Sequence, residues 1–137
     1  MCKKILLIGH ARHGKDTVAQ MISDETGMKF ESSSMTAAKI FIYDELKEKY
    51  KYSSFEECYE DRMNHRKEWH DLICLYNLND PARLTKDILS INDMYVGMRS
   101  DREFQECRKN NLFDLVVGVF DPNKPLEQKD SFDIDLF

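Results

Sequence analysis

The hydrophobic pattern opens with an unbroken apolar run, Ile5-Leu6-Leu7-Ile8, bounded by Lys4 and Gly9. A run this short, closed by glycine, reads as a buried strand over residues 4–8. Apolar residues then recur at helical spacing until Gly27, which predicts a helix over about 14–26 with a glycine stop. Met28-Lys29-Phe30-Glu31 alternates briefly and predicts a second strand. The hydroxyls of Ser32-Ser33-Ser34 that follow can cap a helix, contact phosphate, or do both. The spacing of Ala37, Ile40, Phe41 and Leu46 predicts a helix from about Thr36 to Tyr50 with those four inward.

Farther along, Ser-x-x-Glu patterns at Ser53 and Ser54 start a second helical stretch that runs, with breaks, to about Tyr76. Asn79-Asp80-Pro81 resets the chain into another helix, with Pro81 suited to its first turn. Met94-Tyr95-Val96 reads as a third strand ending in Gly97-Met98-Arg99, and Ser100 caps a helix to about Lys109. Leu112 to Phe120 is a strongly apolar fourth strand. Strands alternating with helices imply an α/β fold, a short parallel sheet flanked by helices with ligands held at the carboxyl ends of its strands. Gly9, Ser32, Arg99 and Asp121 fall at such ends. With no repeat and no flexible linker, residues 1–137 read as one domain, in which about 36–91 forms a helical insertion.

The first strand runs directly into Gly9-His10-Ala11-Arg12-His13-Gly14-Lys15-Asp16-Thr17, a Gly-x4-Gly-Lys loop followed by a helix. Glycines let backbone N–H groups curl around phosphate oxygens, and the helix aims its positive dipole end at the same anion. Lys15 adds a mobile charge for the terminal phosphates of ATP or a similar nucleotide. The residue after that lysine is usually Ser or Thr, a Mg2+ ligand, and here it is Asp16. A carboxylate is also a hard oxygen donor, so Asp16 either holds the metal or merely favours the first helical turn. Thr17 points about 100° away around the helix and is the poorer replacement.

In the insertion, Arg62, Arg66, Trp69 and Ile73 would share one face if 62–73 were a single helix. Such a face can grip a phosphate and stack a base, or it can be a solvated arginine surface with Trp69 as a core anchor. Arg99, in a Gly-x-Arg turn on the rim that faces the phosphate loop, has the better geometric claim to a phosphate, with Arg102 one helical turn on as support.

A net charge of −5 and a pI near 5.4 argue against binding a nucleic-acid polymer, so nucleotide contacts are expected to be local. No apolar run approaches the roughly 18 residues that span a bilayer, and no signal-peptide pattern opens the chain, which predicts a cytoplasmic protein. Cys2, Cys58, Cys74 and Cys107 form no Cys-x-x-Cys pair and are expected to be reduced. His70 and Cys74 can share a helix face, but two ligands do not make a zinc site. The tail 121–137, with five acidic residues, two basic ones and two prolines, is expected to be lid-like or solvated and disordered, with Lys124 and Lys129 as its cations.

Gly-His-Ala-Arg-His-Gly-Lys-Asp-Thr-Val-Ala at 9–19, Asn-His-Arg-x-Glu-Trp-His-Asp-Leu-Ile-Cys at 64–74, Asp-Pro-Ala-Arg-Leu at 80–84 and Val-Gly-Met-Arg-Ser at 96–100 resemble the bacteriophage deoxynucleoside monophosphate kinases. The resemblance covers most of 3–133 and implies a P-loop NTPase-type three-layer fold with a helical monophosphate-binding insertion. It implies transfer of the ATP γ-phosphoryl group to a deoxynucleoside monophosphate with Mg2+ as cofactor, in the host cytoplasm for a phage-encoded chain. On this reading Gly9, Arg12, His13, Gly14, Lys15, Asp16 and Thr17 hold ATP, with Asp16 at the metal. Ser33, Ser34, Arg62, Arg66, Trp69, His70 and Arg99 hold the acceptor, and Lys15, Arg99 and Arg102 act on the phosphates in flight.

Relatives of this kind continue past Ser131-Phe132-Asp133-Ile134 into another strand and helix, so the sheet would lack its last strand and call for a partner or homodimer to cover its edge. They also place an acidic residue just before the glycine of the strand-three turn, where this chain has Val96; Asp121 either compensates or caps its strand. Two other functions fit the same residues: a shortened nucleotide-binding module or sensor, and a P-loop kinase for another small phosphorylated acceptor such as phosphomevalonate.

Overall fold

Ile5–Ile8 is apolar at every position because the strand that it forms, β1, is covered on both faces and paired on both edges. A computed structural model describes residues 3–129 and 132–135. β2 (Phe30–Ser32), β3 (Met94–Val96) and β4 (Leu115–Gly118) join β1 in a four-stranded sheet of order β2-β3-β1-β4, parallel throughout. Ile5 lies opposite Met94 on one side and Leu115 on the other.

Strand alternation divides the core in two. Ile5, Leu7, Met94 and Val96 face α1 (Lys15–Thr26), whose Ala19, Val18 and Ile22 cover them. Leu6, Ile8 and Tyr95 face the larger cluster built from the remaining helices. Helices thus lie on both faces of the sheet, an arrangement compatible with a three-layer fold. Among the described residues no helix is long and apolar enough to cross a membrane.

The first helix of the insertion starts three residues earlier than expected. Ser32 caps α2 (Ser33–Ala37) by accepting the Met35 N–H at 3.3 Å. A π-helical turn over Ala38–Ile42 then leads into α3 (Tyr43–Leu46). The wider turn shifts the helical phase, so Ile40 turns out, 38% exposed, and Ile42 takes the fully buried position. The stretch from Ser54 is likewise not one helix. α4 (Phe55–Glu60) passes through a 3-10 turn at Asp61–Asn64 and breaks at His65, φ −134° and ψ 33°, before α5 (Arg66–Tyr76). Pro81 lies in the turn ahead of α6 (Arg83–Leu89), where the buried Asn77 side chain accepts the Leu84 N–H at 3.0 Å. α7 (Asp101–Lys109) starts at Ser100 as expected.

The apolar 112–120 run contributes only four strand residues, and three of them are exposed, among them Leu115 at 53% and Val116 at 44%. β4 is an edge: β1 pairs with one side of it, and none of the described strands pairs with the other.

Most residues in the described part of the tail are exposed, as expected of a solvated tail, but Asp121, Glu127, Phe132 and Ile134 are not. The tail recrosses the Gly9–Lys15 loop as a strap. The Asp121 N–H donates to His13 Nδ1 at 3.0 Å, which puts the ring proton on Nε2, where it is donated to the Pro125 carbonyl at 3.0 Å. Two residues on, the Glu127 N–H donates to His10 Nδ1 at 2.9 Å, and Phe132 stacks on His10 with ring centroids 4.2 Å apart. Phe132 and Ile134 are buried, and the Asp133 N–H donates to the Arg99 carbonyl at 3.0 Å. Burial, partly opposed by the Glu127 carboxylate, holds the His10 imidazole below its ordinary pKa and so keeps Nδ1 free to accept.

Gly97 fixes how closely the ends of β2 and β3 approach. Its φ is +108°, and a Cβ there would lie 2.8 Å from Ser33 Oγ, which donates to the Gly97 carbonyl at 3.3 Å. Gly97→Ala should therefore destabilise the fold by about 1–3 kcal/mol in urea unfolding. Adding Ser33→Ala should recover the steric part and leave the backbone part; complete recovery would show that φ is unstrained.

Candidate functional site

The carboxyl ends of β1, β2 and β3 and the helical insertion enclose one cavity of about 500 Å³. β1 contributes the 9–15 loop. Gly9 is required there by contact, since a Cβ would lie 2.5 Å from the Val119 carbonyl; Arg12 makes the turn with left-handed backbone, φ 68°. Arg12, Lys15 and Asp16 line the cavity, whereas Gly9, His13, Gly14 and Thr17 lie outside its wall. His13 faces the strap instead of the cavity, and Thr17 is exposed on α1. Burial, reinforced by Arg99, pulls the Lys15 ammonium below its usual pKa; its Nζ donates to the His10 carbonyl at 3.3 Å.

All the residues expected to hold an acceptor line this cavity: Ser33, Ser34, Arg62, Arg66, Trp69, His70 and Arg99, with Arg102 beside them. They converge although the supporting helix is broken. Arg62, on the 3-10 turn, donates to the Tyr59 carbonyl at 2.9 Å and lays its guanidinium 3.9 Å from the centre of the Tyr59 ring. That ring meets Trp69 edge-on at 6.2 Å, and its hydroxyl lies 3.2 Å from Ser34 Oγ. Arg66 is half exposed at the mouth, and Arg102 reaches the Leu78 carbonyl at 3.4 Å. His70 and Cys74 do share a face, Sγ 3.8 Å from Nδ1. Cys58 and Cys107 are buried free thiols, and Cys2 lies outside the described residues. Among the described residues no group of three or more His, Cys, Asp or Glu side chains is placed to hold a metal ion.

Two features mark the inner end of the cavity. Trp69 is 5% exposed, and its buried Nε1–H has no hydrogen-bond partner, a loss of about 1–3 kcal/mol. Glu103 accepts from Thr85 Oγ1 at 2.7 Å and from the Tyr95 hydroxyl at 3.2 Å, and burial raises its pKa to about 7. Tyr59, Tyr95, Asn77 and Glu103 were not singled out in the sequence. Only the Ser100-x-x-Glu103 spacing hints at one of them, and it suggests a helix cap, whereas the Glu103 carboxyl turns inward.

Glu127 was not expected in the site either. From the strap its carboxylate accepts the Ala11 N–H at 3.0 Å, pairs with Arg99, and lies 4.0 Å from Arg66 Nη1. Lys124 and Lys129, the cations expected of a lid, stay exposed. Asp121 closes its own turn by accepting the Asn123 N–H at 2.9 Å, so it acts as a local cap and stays out of the cavity wall.

Comparison with protein-family models, with curated proteins and with solved structures finds no match to this chain.

Glu103 generates a pH prediction. Its folded pKa, about 7, lies above the ordinary value of 4.5, so its contribution to stability is fully present below 4.5 and is lost as pH rises through 7. Glu103→Gln should gain on the wild type by up to about 3 kcal/mol between pH 4.5 and pH 8 in urea unfolding. A stability difference that stays constant across that range would contradict the assignment.

Proposed function

We propose that this chain is an ATP-dependent deoxynucleoside monophosphate kinase. The observation that carries the reading is the convergence of Lys15 and Asp16, from the loop after β1, with Arg62, Arg66, Arg99 and Trp69, from separate segments, around one cavity. On this reading the loop is a P-loop, and the fold is the P-loop NTPase type with a helical monophosphate-binding arm.

Phosphoryl transfer needs positioning and charge neutralisation more than covalent help, because negative charge stays on oxygen throughout. Lys15 and the loop N–H groups bind the β- and γ-phosphates of ATP. Arg99, with Arg66 and Arg62, holds the acceptor phosphate in line, and Arg102 supports them. The acceptor oxygen is already anionic and requires no general base. Trp69 and Tyr59, edge-on to each other, provide the aromatic part of the wall against which a base would lie.

Mg2+ binds through substrate phosphates plus one or two carboxylates, without needing an all-protein cage. Asp16, beside Lys15 in the cavity wall, is the carboxylate that fits it. Mg2+ held there would neutralise charge on the nucleotide phosphates. Aromatic residues in the wall favour a nucleotide acceptor over a small aliphatic one such as phosphomevalonate.

ADP formation from MgATP with each of the four deoxynucleoside monophosphates tests this reading. Turnover with at least one is expected, with a loss of roughly a hundredfold or more in Lys15→Ala and in Arg99→Ala. Binding of a monophosphate without turnover would instead support a nucleotide-binding module or sensor.

A further inference from the structure

We infer that the Glu127 carboxylate is an internal stand-in for a phosphate oxygen, one that an incoming anion must displace before it binds among the cations. The inference rests on the reading that the cavity binds phosphate.

The carboxylate sits where an oxyanion would. One oxygen accepts the Ala11 N–H of the loop, and the other meets Arg99, with Arg66 4.0 Å away. A loop N–H and guanidinium groups are the donors that recognise phosphate. The side chain is only 8% exposed, so this is an interior ion pair set among Lys15, Arg66 and Arg99. Without it those cations would face one another, and Arg99 already depresses Lys15.

The strap delivers the carboxylate through bonds that do not involve it. The Glu127 N–H is held by His10, Pro125 by His13, and Phe132 by stacking on His10. The side chain can leave while its backbone stays anchored.

Displacement costs the same whichever anion arrives, so removing the carboxylate raises the affinity for any phosphate group. A phosphate monoester, carrying about −1.5 to −2 at neutral pH, keeps whatever advantage over a monoanion the cations themselves give it.

The test is isothermal titration of the full chain, wild type and Glu127→Gln, with inorganic phosphate and with dimethyl phosphate, a monoanion. Glu127→Gln should bind phosphate roughly tenfold more tightly or better and should gain by a similar factor for dimethyl phosphate, because both must displace the same carboxylate. Glu127→Asp, which keeps the charge on a shorter side chain, should fall between and serves if the glutamine variant does not fold. Equal or weaker phosphate binding by Glu127→Gln would overturn the inference and make the carboxylate a support for Arg99. Phosphate binding by neither protein would overturn both this inference and the kinase reading. A gain in phosphate affinity with no transfer to any deoxynucleoside monophosphate would remove the kinase reading alone.

Discussion

The parallel pairing of β1 between β3 and β4 is the constraint on which the rest of the structure depends. It holds the start of the 9–15 loop beside the end of β3, so Arg99 emerges next to Lys15. It also brings the Val119 carbonyl so close to residue 9 that only glycine fits there. The strap begins at that contact, so one strand positions the loop, the arginine rim and the segment that covers them. Apolar residues at all four β1 positions are what make the pairing obligatory, because a strand buried on both faces has no other way to satisfy its backbone groups.

The cavity's second property follows from charge. Lys15, Arg62, Arg66, Arg99 and Arg102 are drawn around one space by a chain whose net charge is −5, and the strap supplies a carboxylate to the densest part of that cluster. Glu103, also in the cavity wall, faces hydroxyls instead of cations, and burial raises its pKa. Two carboxylates in one cavity thus have opposite surroundings: one compensates cations and the other is driven toward its neutral form.

Much of this was legible in the chain because the signals were local. The β1 run, the Gly27 stop, Ser100 before α7 and the three strand-end residues Gly9, Ser32 and Arg99 each rest on patterns spanning a few positions, and each lies where the pattern puts it. What was illegible depends on distance or on a phase change. The π-helical turn at Ala38–Ile42 moves Ile40 outward, and no periodicity rule anticipates an inserted residue. β4 is as apolar as a central strand but lies at an edge, and the order of strands is a tertiary fact. Glu127 meets Ala11 across 116 residues, and its prolines and charges suggested solvent. Arg62, Arg66 and Trp69 reach the same cavity although they do not share the single helix that would align them, because the turn at His65 redirects the chain without carrying it away from the cavity.

The most direct measurement of the central claim, that one cavity holds two phosphorylated nucleotides end to end, is the affinity of a bisubstrate analogue. Adenosine joined through five phosphates to deoxythymidine, with deoxyguanosine and deoxycytidine counterparts, would be titrated against ATP and each monophosphate alone. The account predicts that at least one analogue binds far more tightly than either half and competes with both. An analogue series that binds no more tightly than ATP, or competes with ATP alone, would contradict it.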